Sequence, residues 1–189
     1  MVFGAEAALY TEGETAVGVF TLRKGMVKLV RATADGRERI VRVLRPGDVI
    51  GLEALATARY DSEAVALVEA QVCRIPLSVL HHLSANSPRL HKRLMQKWQQ
   101  ALKDADDWLA DLNFGSARQR VAALALKMRD PDQPGVTTFF ARDDMGAMLD
   151  MQLETVSREI SALVRDGALK PRDKQGRRYE ILDETSLMR

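Results

Sequence analysis

The feature that most narrows what this chain can fold into is the stretch at residues 88–113, which has no glycine and no proline after Pro88. A run of that kind admits one long uninterrupted helix, because nothing in it loosens or breaks the backbone. Leu94, Trp98, Ala101, Ala105, Trp108 and Leu112 recur at alternating steps of four and three, a heptad seam, and no charged residue falls inside it. Two readings fit this pattern. In one, a single amphipathic helix packs on its own domain. In the other, the seam is the interface of a homodimeric coiled coil that needs no ligand. Ala101 and Ala105 would then let two backbones come close, while a second stripe (Leu90, Leu102, Leu109) faces the preceding domain.

The helix divides the chain into unlike halves. Upstream, residues 9–80 are β-rich. Runs containing Val, Ile, Thr or Phe at residues 17–22, 26–32, 38–43 and 64–75 are punctuated by Glu12–Gly13, Lys24–Gly25, Asp35–Gly36 and Pro46–Gly47–Asp48. Asp35–Gly36 predicts a hairpin turn. Short strands at this spacing predict a small sandwich or jelly-roll barrel. Downstream, Asn113–Phe114–Gly115 breaks the helical pattern. Ser116, with Gln119 three residues later, reads as a capping box that opens a helix running to about Met128. Residues 130–135 hold two prolines and read as a loop, and residues 136–140 as a short strand. The expected organisation is a β-domain at 1–87, a helix at 88–113 and a C-terminal domain at 114–189.

Composition excludes several classes. Cys73 is the only cysteine, so neither an intramolecular disulfide nor a cysteine cage for zinc or iron–sulfur can be built within one chain. No apolar run approaches a membrane span and no leader pattern opens the chain, which predicts a cytoplasmic protein with no membrane partner. No nucleophile–base pair, phosphate loop or metal-ligand cluster stands out, which argues against an enzyme. The formal net charge of +2 is close to neutral, so any claim on nucleic acid must rest on a local arrangement.

Residues 142–167 supply one. Met145, Met148 and Leu149 give a first helix an apolar face, and a break follows at Asp150–Met151–Gln152. A second helix over about 153–166 buries Val156, Ile160, Leu163 and Val164, and Gly167 stands where a terminating glycine belongs. This is the helix-turn-helix pattern. On the free side of the second helix, Glu154, Ser157 and Arg158 share one face. Arg can donate twice to guanine O6 and N7, Glu can accept from cytosine N4, and Ser can serve either role. The competing reading is a solvated face with a Glu154–Arg158 ion pair one turn apart. Residues 168–171 and 178–182 then read as two strands around a basic turn. Residues 152–178 hold seven cations (Arg158, Arg165, Lys170, Arg172, Lys174, Arg177, Arg178) against four acids (Glu154, Glu159, Asp166, Asp173). Cations beside a groove-reading helix neutralise phosphates. Arg142, Gln152, Thr155, Arg165, Lys170, Arg172, Lys174 and Arg177 are the expected backbone contacts of a winged helix-turn-helix on double-stranded DNA.

With these motifs in view, the sequence resembles the CRP/FNR family of bacterial transcription regulators along nearly its full length. Leu9–Tyr10–Thr11–Glu12–Gly13, Gly25–Met26–Val27–Lys28 and Leu44–Arg45–Pro46–Gly47–Asp48 resemble turns of a cyclic-nucleotide-binding-type β-roll. Residues 88–112 match the family's dimerisation helix. Phe114–Gly115–Ser116–Ala117–Arg118–Gln119–Arg120–Val121–Ala122 resembles the start of its DNA-binding domain. Leu153–Glu154–Thr155–Val156–Ser157–Arg158 carries the Glu-x-x-Ser-Arg signature of the FNR branch, where the CRP branch has Arg in place of Leu153 and Gly in place of Ser157.

The resemblance implies an α+β fold of β-roll, long helix and winged helix-turn-helix. It also implies a homodimer on an inverted repeat resembling TTGAT-N4-ATCAA, with RNA polymerase as a further partner, acting as activator or repressor. The sensor half departs from both branches. Gly51–Leu52–Glu53–Ala54 and Tyr60–Asp61–Ser62 stand where cyclic-nucleotide binders hold the phosphate with Gly-Glu-Leu and an Arg-Ser or Arg-Thr pair, and Asp61 would repel a phosphate. Cyclic AMP is not expected. Cys73 resembles a cluster-ligand position of FNR, but the three further cysteines are missing, so a 4Fe–4S cluster is not expected either. Cys73 is expected to be a buried strand residue, with a redox or ligand role as the alternative. His81, His82 and His91, near the junction with the helix, keep haem open, against surface positions at a helix end. The alternative function is a small-molecule or haem sensor whose ligand gates DNA binding. The resemblance further implies a leading helix and part of a first strand ahead of Leu9 that this sequence does not contain.

Overall fold

The computed structural model describes residues 1–32, 38–130 and 132–187, without the side chain of Ser84. The expected Asp35–Gly36 turn lies outside the described residues. The chain divides into two compact units, Met1–Ala105 and Asp106–Arg189.

The first unit is a β-roll of two four-stranded antiparallel sheets. Its strands are β1 (Val2–Phe3), β2 (Ala8–Tyr10), β3 (Gly18–Lys24), β4 (Val27–Ala32), β5 (Glu38–Leu44), β6 (Val49–Ile50), β7 (Glu63–Ala66) and β8 (Ala70–Pro76), with a 3-10 turn at Leu52–Leu55. One sheet runs β1-β8-β3-β6 and the other β2-β7-β4-β5. Leu22, Val27, Ile50, Ala64, Ala66 and Ala70 are fully enclosed between them. Alternation along β4 is interrupted by a bulge between Leu29 and Val30, which turns both side chains inward. The run at 64–75, read as one strand, is two: β7 belongs to one sheet and β8 to the other. The chain crosses between them at residues 67–69, where Leu67 is buried and its N–H donates to the Met26 carbonyl at 2.9 Å. A Cβ on Gly25 would run into the Glu69 carbonyl, so this corner closes only on glycine.

β8 also corrects the expectation for Cys73. The residue is on a strand, but Ala70 and Val72 take the inward positions and the period of two turns Cys73 outward, where it is exposed.

Helices α1 (Leu77–Asn86) and α2 (Pro88–Leu112) follow. The two apolar stripes of α2 differ in exposure within this chain. Leu94, Trp98, Ala101, Ala105 and Trp108 are half-buried within this one chain and Leu112 is buried. Leu102 and Leu109, expected to be covered by the β-domain, are 65% and 61% exposed. Within the second unit, the Lys127 ammonium lies 5.6 Å from the centre of the Trp108 ring and pairs with Asp111 at 2.7 Å, which accounts for part of the cover on that stripe.

The second unit continues with α3 (Ala117–Lys127), β9 (Val136–Thr138), α4 (Arg142–Leu149), α5 (Leu153–Arg165), β10 (Leu169–Pro171), β11 (Arg178–Ile181) and the short α6 (Glu184–Leu187). α3 opens on the expected capping box, in which Ser116 Oγ accepts from the Gln119 N–H and Gln119 accepts from the Ser116 N–H. Such a cap is worth about 1 kcal/mol. β10, β11 and β9 form an antiparallel sheet in that order. The core joins Val121, Leu124 and Ala125 of α3 with Met145 and Leu149 of α4 and Val156, Ile160 and Leu163 of α5. Among the described residues no helix is long and apolar enough to cross a membrane.

Candidate nucleic-acid interface

The interface is built on α4 and α5. Asp150 takes a left-handed backbone with φ of 52°, ending α4, and Gln152 starts α5 two residues later. The turn packs close against the first helix: a Cβ on Gly146 would stand 2.6 Å from the Met151 carbonyl oxygen, so the approach requires glycine. Two arginines of α3 hold the pair in place. Arg120 donates to the Leu149 carbonyl at 2.6 Å, satisfying the end of α4, and Arg118 pairs with Asp166 at 2.6 Å at the end of α5.

Once Val156, Ile160 and Leu163 are committed to the core, the opposite face of α5 is determined. Glu154 and Arg158 are exposed and Ser157 is half-buried between them. The Arg158 side chain is 70% exposed and its Nε meets the neighbouring Glu159 at 3.4 Å. Among the described residues the alternative Glu154–Arg158 ion pair does not form, so Arg158 is held only loosely and its fork is open to solvent. Leu153, which the sequence reading passed over as a site residue, is 38% exposed at the first turn of this face. It continues the heptad spacing of Val156, Ile160 and Leu163, so its period reads as core, and only its place in the first turn leaves it partly uncovered.

The wing is the β10–β11 hairpin. Its turn is organised by Asp173, whose carboxylate accepts from the Arg177 and Arg178 N–H groups, each at 2.9 Å. Those backbone bonds hold the Asp173 carboxyl below its ordinary range. Arg172 forks onto Glu180 across the hairpin at 3.1 and 3.2 Å. Lys170, Lys174 and Arg177 are exposed along the wing, Arg165 is exposed in the last turn of α5, Gln152 is exposed ahead of its first turn, and Thr155 is half-buried. Arg142 departs from the expected set. Instead of reaching outward it donates to the Gly176 carbonyl at 2.8 Å and to the Tyr179 hydroxyl at 3.1 Å, with its guanidinium over the Phe139 ring. Half-buried and in contact with these three neighbours, Arg142 fastens the wing to the start of α4.

The profile of the cyclic nucleotide-binding domain family matches residues 1–87, and that of the Crp-like helix-turn-helix domain matches residues 119–189. The chain belongs to the CRP/FNR family of transcription regulators. It is similar to the transcriptional activator protein FnrA of Stutzerimonas stutzeri, at 28% identity over 185 residues, covering 95% of this chain and 75% of that one. It is also similar to the transcriptional activator protein FnrL of Cereibacter sphaeroides, at 30% identity over 172 residues, covering 85% and 66% of the two chains. The structure of FixK2 from Bradyrhizobium japonicum superposes with a TM-score of 0.88 at 27% identity, over 99% of this chain and 93% of that one. As a member of this family the chain is a DNA-binding regulator through its helix-turn-helix, and not an enzyme.

The sensor half of this CRP/FNR chain does not suit the ligands that its fold family implies. For a cyclic nucleotide, the turn beginning at Gly51 would have to face a phosphate, yet the Tyr60 ring covers it: Cε1 of Tyr60 lies 3.0 Å from where a Gly51 Cβ would stand. Burial raises the Glu53 carboxyl above its ordinary range in the same turn. For an iron–sulfur cluster there is one exposed thiol where four ligands are needed. His81, His82 and His91 are all exposed on α1 and α2, so none of them lines an interior haem site.

Proposed function

We propose that the protein binds DNA as a homodimer and reads an inverted repeat of the form TTGAT-N4-ATCAA, without cyclic AMP or an iron–sulfur cluster. The observation that carries this reading is the open face of α5, where Glu154, Ser157 and Arg158 project from a helix whose other side is buried. Arg158 donates to guanine O6 and N7, Glu154 accepts from cytosine N4, and Ser157 contacts the neighbouring pair. Leu153 meets a thymine methyl group at the edge of the same face. Gln152, Thr155, Arg165, Lys170, Arg172, Lys174 and Arg177 contact the phosphates on either side. The domains act as a β-roll at 1–87, a dimerisation helix at 88–113 and a DNA-binding domain at 114–189, and RNA polymerase is the partner that reads out occupancy.

The dimer forms through Met95, Leu102 and Leu109, which lie seven residues apart along α2 and are 40%, 65% and 61% exposed. Together with half-buried Trp98 and Ala105 they make a second heptad seam, displaced from the one read off the sequence. Two recognition helices then enter major grooves one turn apart, about 34 Å. A salt-titrated gel shift on TTGAT-N4-ATCAA against a scrambled duplex tests the reading. A preference of at least 10³-fold for the repeat is expected, and equal affinity for the two duplexes would reject it.

A further inference from the structure

We propose that Tyr60 is a built-in occupant of the β-roll's ligand position, holding the two sheets in one packed state in place of a bound small molecule. This rests on the reading that the β-roll works without a nucleotide, and adds what takes the nucleotide's place.

The Tyr60 ring is 1% exposed and belongs to no strand. It stacks on Tyr10 of β2 with centroids 3.7 Å apart and planes inclined by 12°, and Tyr10 in turn stacks on Phe20 of β3 at 5.9 Å. β2 and β3 lie in different sheets, so the stack joins one to the other. The far end of the ring is equally specific. The Tyr60 hydroxyl donates to the Gly18 carbonyl at 2.7 Å and accepts from the Val17 and Gly18 N–H groups at 3.3 Å. The backbone of Tyr60 is fixed as well, its N–H donating to the Glu14 carbonyl at 3.1 Å and its own carbonyl accepting from the Gly13 N–H at 2.9 Å. The side of the ring then lies over Gly51, whose φ of 76° and lack of a Cβ leave room for it. A planar aromatic body with a polar end, buried between two sheets and against a tight turn, is how a small ligand is usually held. Here the chain supplies that body itself.

The sequence placed Tyr60 beside Asp61 and Ser62 only as a departure from the phosphate-binding pattern. The structure adds that the departure is filled. At that position a self-occupied β-roll offers an effector no differential affinity through which to shift a population.

The test uses the full-length protein and the Tyr60→Ala variant, with 4-methylphenol, the detached tyrosine side chain, as probe. Removing the ring should lower the thermal midpoint by roughly 10 °C. Millimolar 4-methylphenol should restore part of that loss saturably in Tyr60→Ala and leave the wild type unmoved. An unchanged midpoint in Tyr60→Ala, or a lowered midpoint that 4-methylphenol does not raise, overturns the proposal. If Tyr60→Ala does not fold alone, it is refolded with millimolar 4-methylphenol present, and a failure to fold there as well overturns the proposal. Cyclic AMP and cyclic GMP titrated against the wild type separate the two ideas. Saturable binding there rejects the nucleotide-free reading itself, whereas a nucleotide-blind wild type with no guest response in the variant rejects only the plug.

Discussion

At the scale of single residues, specificity and architecture fall on different residues of the same helix pair, α4 and α5. Arg158 is exposed and has one loose contact, so removing it disturbs little in the free protein. Arg158→Ala is expected to cost about 1–3 kcal/mol on the cognate repeat and to relax discrimination at one guanine, while the thermal midpoint stays put. Competition binding against all four bases at that position measures it, and unchanged discrimination would remove Arg158 from base reading. Gly146 is the opposite case. It touches no DNA, but a methyl group there would press on the Met151 carbonyl from 2.6 Å and force the turn open. Gly146→Ala should destabilise the protein by about 1–3 kcal/mol, seen as a lower denaturation midpoint, and weaken binding to every sequence alike. Arg142 belongs with Gly146, because its bonds to Gly176 and Tyr179 set where the wing starts.

At the scale of elements, the wing makes the charge argument concrete. Lys170 on β10 is exposed, and Lys170→Ala should weaken binding to all sequences and reduce the slope of log K against log salt by about 1. The wing's own turn carries a pH dependence of known sign. Asp173 titrates below its ordinary value because its ionised form accepts from two backbone N–H groups. Its contribution is therefore complete above the unfolded value and is lost only as pH falls through the lower, folded one. The Arg177 and Arg178 amide resonances should be constant from about pH 8 to 5 and move only in acid below about pH 4. How legible each element was in the sequence follows from what holds it. α3, α4 and α5 were legible because their apolar periods, the Ser116 capping box of α3 and Gly167 after α5 all act locally. The crossing between β7 and β8 was not, since residues 67–69 (Leu, Val, Glu) carry no turn signal and the chain bends there only because two sheets meet. β1 and β6 are two residues long, too short for any period to register. Arg142 looked like another outward cation because nothing local reveals Tyr179, which is 37 residues away.

At the scale of the whole molecule, an inverted repeat demands two identical readers, and one chain carries one. The heptad on α2 announced a partner, but with two apolar stripes on one helix the sequence could not say which stripe the chain would cover itself. The stripe through Trp108 and Leu112 meets its own unit, where Lys127 lies over the indole and Leu112 is enclosed. The stripe through Met95, Leu102 and Leu109 meets solvent. Fully burying a leucine is worth about 1.5–3 kcal/mol, and a two-fold axis along α2 would bury Leu102 and Leu109 from both copies. Leu102→Glu with Leu109→Glu reverses that term and brings like charges face to face across the axis. The double variant should run as a monomer by light scattering at micromolar concentration, and the wild type as a dimer. Its affinity for one isolated TTGAT half-site should be that of the wild type, because the α5 face is untouched. Its affinity for the full repeat should fall by about 10²–10⁴-fold, the loss expected when the second half-site no longer binds as part of the same molecule. Leu94→Ala should leave the mass unchanged, since Leu94 lies on the half-buried stripe. A dimeric mass in the double variant, or a monomeric one in Leu94→Ala, would return the interface to the seam first read from the sequence.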